Sequence, residues 1–350
     1  SGHTGVVPAD VLPDEEEVQS GAVYVFARVD GAWSQQAFIK ASNAQEDDSF
    51  GWALSLSADG STLAVGAPLE DGDNNAIDGA GAVYVYVRSD AAWSFEAMLS
   101  AENAQEFGLF GSALALSANG KTMAVGSTDE NTHASDSGAV YIFVRDDTQW
   151  TQQKFLKASN PGQEDLFGYA VALSADGNTL AVGAPWEASA AKGVGGNQLD
   201  DSKPLAGAVY VFVREGTDWN QRAYIKASNT EQYNSFGLSV GLSADGNTLA
   251  IGADGESSPA VGINGVEANK GAPSAGAAYL FTRVGPSWSQ KAYLKASNTS
   301  QSQAFGTVLA MSGDGSTLAV GAYRESGGAT GINGDQAAVK KTNAGAVYLY

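Results

Sequence analysis

The side chains able to do chemistry in this chain are mostly carboxylates. Of 350 residues, 39 are Asp or Glu and 19 are Lys or Arg, with two His, no Cys and a formal charge of -20. Without Cys there is no disulfide, thiolate metal site or Cys nucleophile. A Ser-His-Asp triad needs one rigidly held His. His3 falls in a terminal stretch and His133 in a loop of variable length, so both read as structural. Paired carboxylates could serve glycoside hydrolysis, but with so many acids some pair meets the required separation by chance. The chain is therefore read as non-catalytic.

Cation binding remains. Asp71-Gly-Asp73-Asn-Asn75-Ala-Ile-Asp78-Gly79 sets oxygen side chains at positions 1, 3, 5 and 8. That resembles an Asx-rich Ca2+ loop, although Ala76 replaces the usual turn glycine and no Glu stands at position 12. The competing reading is a flexible polar loop. Weaker groupings are Asp129, Glu130 and Asp136, then Asp254 and Glu256, then Asn333 and Asp335. Trp186, just after Ala184-Pro185, could stack on a sugar; local packing competes. Gly193-Val-Gly195-Gly196 lacks the strand-then-helix context of a phosphate loop.

The elements that position these residues come from an internal repeat. Phe-Gly pairs occur at Phe50, Phe110, Phe167, Phe236 and Phe305, and a Gly-Ala-Val/Ala-Tyr box begins at Gly21, Gly81, Gly138, Gly207, Gly276 and Gly345. A lone Trp follows the first five boxes by 12 residues, and the next Phe-Gly glycine follows the Trp by 18. From that glycine to the next box the interval varies: 30, 27, 39, 39 and 39 residues. All length variation lies in one connection per repeat.

Each repeat predicts four strands. Strand A follows Phe-Gly and alternates large and small residues, as in Tyr169 to Ser174. Asp-Gly at Asp59, Asp176 and Asp245 marks a hairpin into strand B, Thr-Leu-Ala-Val-Gly-Ala, which is apolar throughout and expected to be buried on both faces. Strand C is the box and strand D starts near the Trp. Lys40, Lys157, Lys226 and Lys295 on strand D read as charges guarding an exposed outer edge. Arg28, Arg88, Arg145, Arg214 and Arg283 end strand C, the first four followed by an acid, and read as weak surface ion pairs.

Four-stranded antiparallel units every 57 to 69 residues predict an all-β propeller with five to six blades represented. Residues 1–350 then form one domain: a partial blade (1–49) with strands C and D, complete blades (50–109, 110–166, 167–235, 236–304), and a blade lacking its last strand (305–350). Phe-Gly with Val-Gly-Ala-Pro at Val65 to Pro68 and Val182 to Pro185 resembles the FG-GAP repeat of integrin α-subunit propellers. Thr330 to Asp335 and Ser289 to Asn298 look like the bacterial integrin-like branch. The resemblance implies a secreted or surface-exposed propeller used for adhesion or as a scaffold; it does not imply a catalytic activity. The Asp-x-Asp/Asn-x-Asp-Gly calcium loop of integrin-type repeats is replaced here by the tight Asp-Gly turn, so those sites are not carried over.

The chain begins after a missing strand B and stops inside a strand C, which reads as an excerpt of a longer, seven-bladed or larger array. Closure by a composite blade, 305–322 with 33–40, is the alternative. Unpaired terminal strands could support head-to-tail self-assembly. On the propeller reading, 28 of 39 acids fall on the face carrying the B–C and D–A connections, with six bases (Lys192, Lys203, Lys270, Arg324, Lys340, Lys341). That face is the expected binding surface, with Trp186, Asp254, Glu256, Asn333 and Asp335 as candidate ligand residues and a protein or glycan as partner. Acidic solvation is the competing reading. The negative charge disfavours nucleic acid, and no apolar run is long enough to insert in a membrane. The expected function is an extracellular adhesin-type or surface-filament module, with a lectin-like propeller as alternative.

Overall fold

The computed structural model describes residues 5–7, 19–72, 76–338 and 341–350. His3, Asp73, Asn75, the acidic run Asp14 to Glu17 and Lys340 lie outside them. The described residues form strands and turns with no helix, in two compact units, Ser1–Leu156 and Lys157–Tyr350.

In the first unit, β1 (Gly5–Val7), β2 (Val23–Val29) and β3 (Ala32–Lys40) form a sheet in the order β1-β3-β2. Two four-stranded antiparallel sheets follow in sequence order: β4 (Leu54–Leu56), β5 (Thr62–Ala67), β6 (Ala82–Ser89) and β7 (Ala92–Leu99), then β8 (Phe110–Leu116), β9 (Thr122–Ser127), β10 (Ala139–Asp146) and β11 (Gln149–Leu156). The second unit opens with β12 (Ala170–Leu173), β13 (Thr179–Ala184), β14 (Ala208–Glu215) and β15 (Asp218–Ile225). Next come β16 (Ser239–Leu242), β17 (Thr248–Ala253), β18 (Gly262–Ile263), β19 (Ala277–Val284) and β20 (Ser287–Lys295), ordered β16-β17-β19-β20-β18. The last sheet holds β21 (Phe305–Met311), β22 (Leu318–Ala322) and β23 (Ala346–Leu349).

Local chemistry explains the repeat. In the A–B hairpins the Ser hydroxyl accepts the N–H of the Thr that opens strand B, at 2.9 Å for Ser57–Thr62 and Ser174–Thr179. The intervening Asp caps the turn, and these hydrogen bonds pull the Asp59 carboxyl down to about 2. Strand B is buried along its whole length in β5, β9 and β13, as its unbroken apolar sequence requires. The box opens with glycine because the next Phe-Gly segment presses on it. Gly207 has φ 80°, and a Cβ there would lie 2.1 Å from the Phe236 carbonyl oxygen.

Within each unit the core lies between successive sheets. One cluster joins Val209, Val211 and Ile225 to Leu249, Tyr279, Phe281 and Trp288. Within each blade the Phe-Gly ring meets the box Tyr edge-on, at 5.4 Å for Phe167–Tyr210 and 5.2 Å for Phe236–Tyr279. Each such pair adds about 0.5–1.5 kcal/mol beyond its buried area.

Two expectations about strand D are corrected. Lys226 and Lys295 do not face solvent: both side chains are 0% exposed and ion-paired, and Lys40 is buried with its ammonium on Ser20. Nor is the outer edge bare in three of the sheets, although β7 and β11 are outermost in theirs. β18, from the long B–C connection, pairs with β20, β1 pairs with β3, and Val194 bridges Ile225. The loop covers the edge, so the lysines are free to turn inward. The Arg residues ending strand C also differ from expectation. Arg88, Arg145 and Arg283 sit over Trp93, Trp150 and Trp288 at 5.8, 6.0 and 5.5 Å, because cross-strand register sets each Arg opposite its Trp.

Candidate functional site

The variable B–C loops all hang from one anchor. A Glu follows each Phe-Gly glycine by 19 residues (Glu70, Glu130, Glu187, Glu256, Glu325), and an Asn precedes that glycine by eight (Asn43, Asn103, Asn160, Asn229, Asn298). The Asn amide donates to the Glu carboxylate, at 2.9 Å for Asn43–Glu70 and Asn298–Glu325 and 3.0 Å for Asn160–Glu187 and Asn229–Glu256. The box Tyr hydroxyl donates to the Asn oxygen, at 2.8 Å for Tyr141–Asn103 and 2.6 Å for Tyr210–Asn160. The Glu carbonyl accepts the N–H of the box glycine, closing the loop base at 2.8 Å for Gly81, Gly207 and Gly276. The closing bond spans 11, eight, 20, 20 and 20 residues in the five repeats, so loop length changes while the base does not.

All five glutamates are buried, as are Asp48 and Asp165. A substantial part of the acidity assigned to the loop face therefore lies beneath it. Glu187 pairs with Lys226 at 2.6 Å and accepts from the Tyr224 hydroxyl at 2.9 Å. Glu256 pairs with Lys295 at 2.7 Å. In the repeat of Glu70, the position of those lysines is Ser100. Burial, with repulsion from Asp71 added, pushes the Asp48 carboxyl up to about 6; burial, with repulsion from Asp48 and Asp71, pushes Glu70 up to about 7. A hydrogen bond from Glu70 acts against that rise at Asp48. Burial also raises Asp165 to about 7.

These anchors were missed as a set in the sequence, although their fixed offsets were available there. Glu256, expected as a ligand residue, is instead an internal anchor committed to Asn229 and Lys295; Glu130 plays the same part with Asn103 and Gln105. Trp186 directly precedes Glu187 and is 39% exposed; Leu69, Asp129, Gly255 and Arg324 hold the same repeat position. Asp254 is half-buried, its carboxyl raised by burial, with Arg324 acting against that. Asn333 and Asp335 lie on an exposed turn, where Asp335 accepts the Ala337 N–H at 2.9 Å. In the 71–79 loop, the Asp71 carboxylate accepts the Gly79 N–H at 2.9 Å and Asp78 lies in the adjoining turn, while Asp73 and Asn75 fall outside the described residues. Among the described residues, no group of three or more His, Asp or Glu is disposed to hold a metal ion.

One cleft opens among these loops in the second unit. Its volume is about 610 Å³, and it is lined from the D–A segment 228–234 and the B–C loops at Lys192 and 255–274. Glu231 at its rim bridges Lys203 at 2.6 Å and Lys270 at 2.7 Å. Those two contacts hold its carboxyl below the usual range.

Fold and loop anchors together define a repeat protein of the β-propeller class, all-β and five-bladed, with mostly four-stranded antiparallel blades. Residues 33–86, 93–143, 150–212, 219–281 and 288–350 each match the FG-GAP repeat, so the chain belongs to the FG-GAP repeat family. No curated protein matches the chain in sequence. Among solved structures, the fold is similar to that of the periplasmic gluconolactonase of Pseudomonas aeruginosa: TM-score 0.53, 15% identity, covering 87% of this chain and 73% of that one. TolB from Acinetobacter baumannii aligns with TM-score 0.43 and 11% identity over 88% of this chain and 58% of its own. No helix in the described residues is long and apolar enough to cross a membrane.

Proposed function

We propose that this protein is a non-catalytic interaction module, acting outside the cytoplasm in adhesion or surface assembly, which contacts its partner through the B–C and D–A loops. The observation that carries this reading is the loop base. One Asn–Glu–Tyr anchor and one backbone bond close loops of three different lengths, and such a frame tolerates change in what it displays. The most perturbed carboxyls, Asp48, Glu70 and Asp165, are committed to hydrogen bonds that hold the frame, which favours a structural use of these acids over a catalytic one. Secretion is supported by the family's resemblance to integrin-type propellers.

The test is loop replacement. The 20-residue interval from Glu256 to Gly276 is shortened to the eight-residue interval found from Glu130 to Gly138, keeping both anchor residues. The expected result is loss of binding to intact cells or extracellular matrix by a chain that still unfolds cooperatively, at a lower midpoint because the shortened loop no longer supplies β18 to the edge of β20. Unchanged binding, or turnover of substrate by the parent chain, would contradict the reading.

A further inference from the structure

The cleft in the second unit differs from the rest of the loop face in both charge and hydrogen bonding. Its lining holds Lys192 and Lys270 against Glu231, Glu256 and Glu267, with Lys203 paired to Glu231 and Lys295 to Glu256 from outside the lining. With those two pairs counted, the charges around the cleft are close to balanced on a chain whose formal charge is -20. Lys192 is exposed and has no partner among the described residues, whereas Glu267 is held by Ser228 and by the Gln290 amide at 3.1 Å. The free charge at the rim is a cation.

Asn234 carries the second, independent observation. It is 3% exposed and lines the cleft, and its side-chain amide has no hydrogen-bond partner among the described residues. At the same repeat position, Asp48 accepts the Gln45 N–H, Asp165 the Gly162 N–H and Gln303 the Ser300 N–H. The Asn234 amide is not among the enclosed, unmatched polar atoms of the described residues, so it reaches the space of the cleft and is open to a group that enters there. Beside it Tyr233 is held at φ 65°, a conformation uncommon for an aromatic residue. The frame imposes it: Asp47, Phe107, Glu164 and Ser302 share that conformation in the other repeats. The Tyr233 ring is 58% exposed, and its carbonyl lies where Gly255 would carry a Cβ. The backbone is thus fixed, and the exposed ring stands at the mouth.

We propose that this cleft binds a saccharide bearing a carboxylate, with Lys192 and the Asn234 amide taking the acid group and Tyr233 stacking on a sugar face. This rests on the interaction-module reading and names the ligand class at one part of that surface. A volume of about 610 Å³ falls in the usual range for small-ligand sites. The aromatic platform, with the exposed Gln232 amide beside it, favours a sugar over an acidic peptide, because sugars combine an apolar face with a rim of hydroxyls.

The experiment titrates the whole chain with digalacturonate, its neutral digalactose counterpart and tri-aspartate, followed by NMR, for the parent, Lys192→Ala and Asn234→Ala. The parent is expected to bind the diuronate about tenfold more tightly than the neutral disaccharide. Each variant should lose about fivefold or more for the diuronate alone, with the unfolding midpoint unchanged. Equal affinity for acidic and neutral sugars, no binding of the diuronate, stronger binding of tri-aspartate, or variants that bind like the parent would overturn the assignment. If the two point variants bind cells as the parent does while the loop-shortened protein does not, the saccharide site fails and the interaction reading stands.

Discussion

The anchors at Glu256 and Glu70 solve the same geometric problem with opposite electrostatics. Around Glu256 the neighbouring positions are Asn234 and Lys295, so one buried acid meets one buried base at 2.7 Å. Around Glu70 they are Asp48 and Ser100, so two acids meet no base. Asn43 and Asn229 bond their glutamates in the same way in both places. The comparison shows that the hydrogen-bonded geometry, not the ion pair, is what the repeat requires. The charge balance was solved separately, with a lysine in one repeat and, in the other, carboxyls whose pKa values burial raises.

The largest expected effect is at the neutral anchor. Lys295→Met leaves Glu256 buried without a cation and should lower stability by about 3–5 kcal/mol, read as the shift in a urea transition monitored through Trp288. Lys226→Met should act similarly through Glu187. At the acidic anchor the effect is one of pH. Asp48 and Glu70 have raised folded-state values of about 6 and 7. Between about pH 4 and 7 the folded chain therefore binds more protons than the unfolded one, and stability falls as pH rises through that window. Glu70→Gln should flatten the fall in melting temperature between pH 5 and 8. Ser100→Lys should do so in part, by supplying the missing cation at a position that is exposed in the parent. The smallest effect is in the A–B hairpin, where Ser174→Ala removes the hydroxyl that accepts the Thr179 N–H and should cost about 1 kcal/mol.

The fold was legible because its signals are local and periodic. Phe-Gly, Asp-Gly and the Gly-Ala-Val-Tyr box each impose a turn, a close approach or a buried ring within a few residues. The anchors were not read, because their members come from three separated segments that look like surface loops. Glu187 meets Lys226 39 residues away and Asn160 27 residues away. A Lys on an outer strand turns inward only when such a distant acid awaits it, and no alternation pattern within strand D reports that. The same effect misplaced Glu256, counted as a surface acid when its burial is made possible by Lys295. Asn234 stood in the same blind spot: its meaning lies in what Asp48, Asp165 and Gln303 do at the matching position of other repeats.

The claim that the recurrent carboxylates are internal anchors is tested most directly at Asp48 and Glu70, by carboxyl carbon NMR through a pH titration with Asp48→Asn and Glu70→Gln for assignment. Two transitions near pH 6 and 7 are predicted, with the Glu70 transition shifted downward in Asp48→Asn. Two independent transitions near pH 4, indifferent to the partner's removal, would mean that these groups are solvated surface acids and would contradict the account.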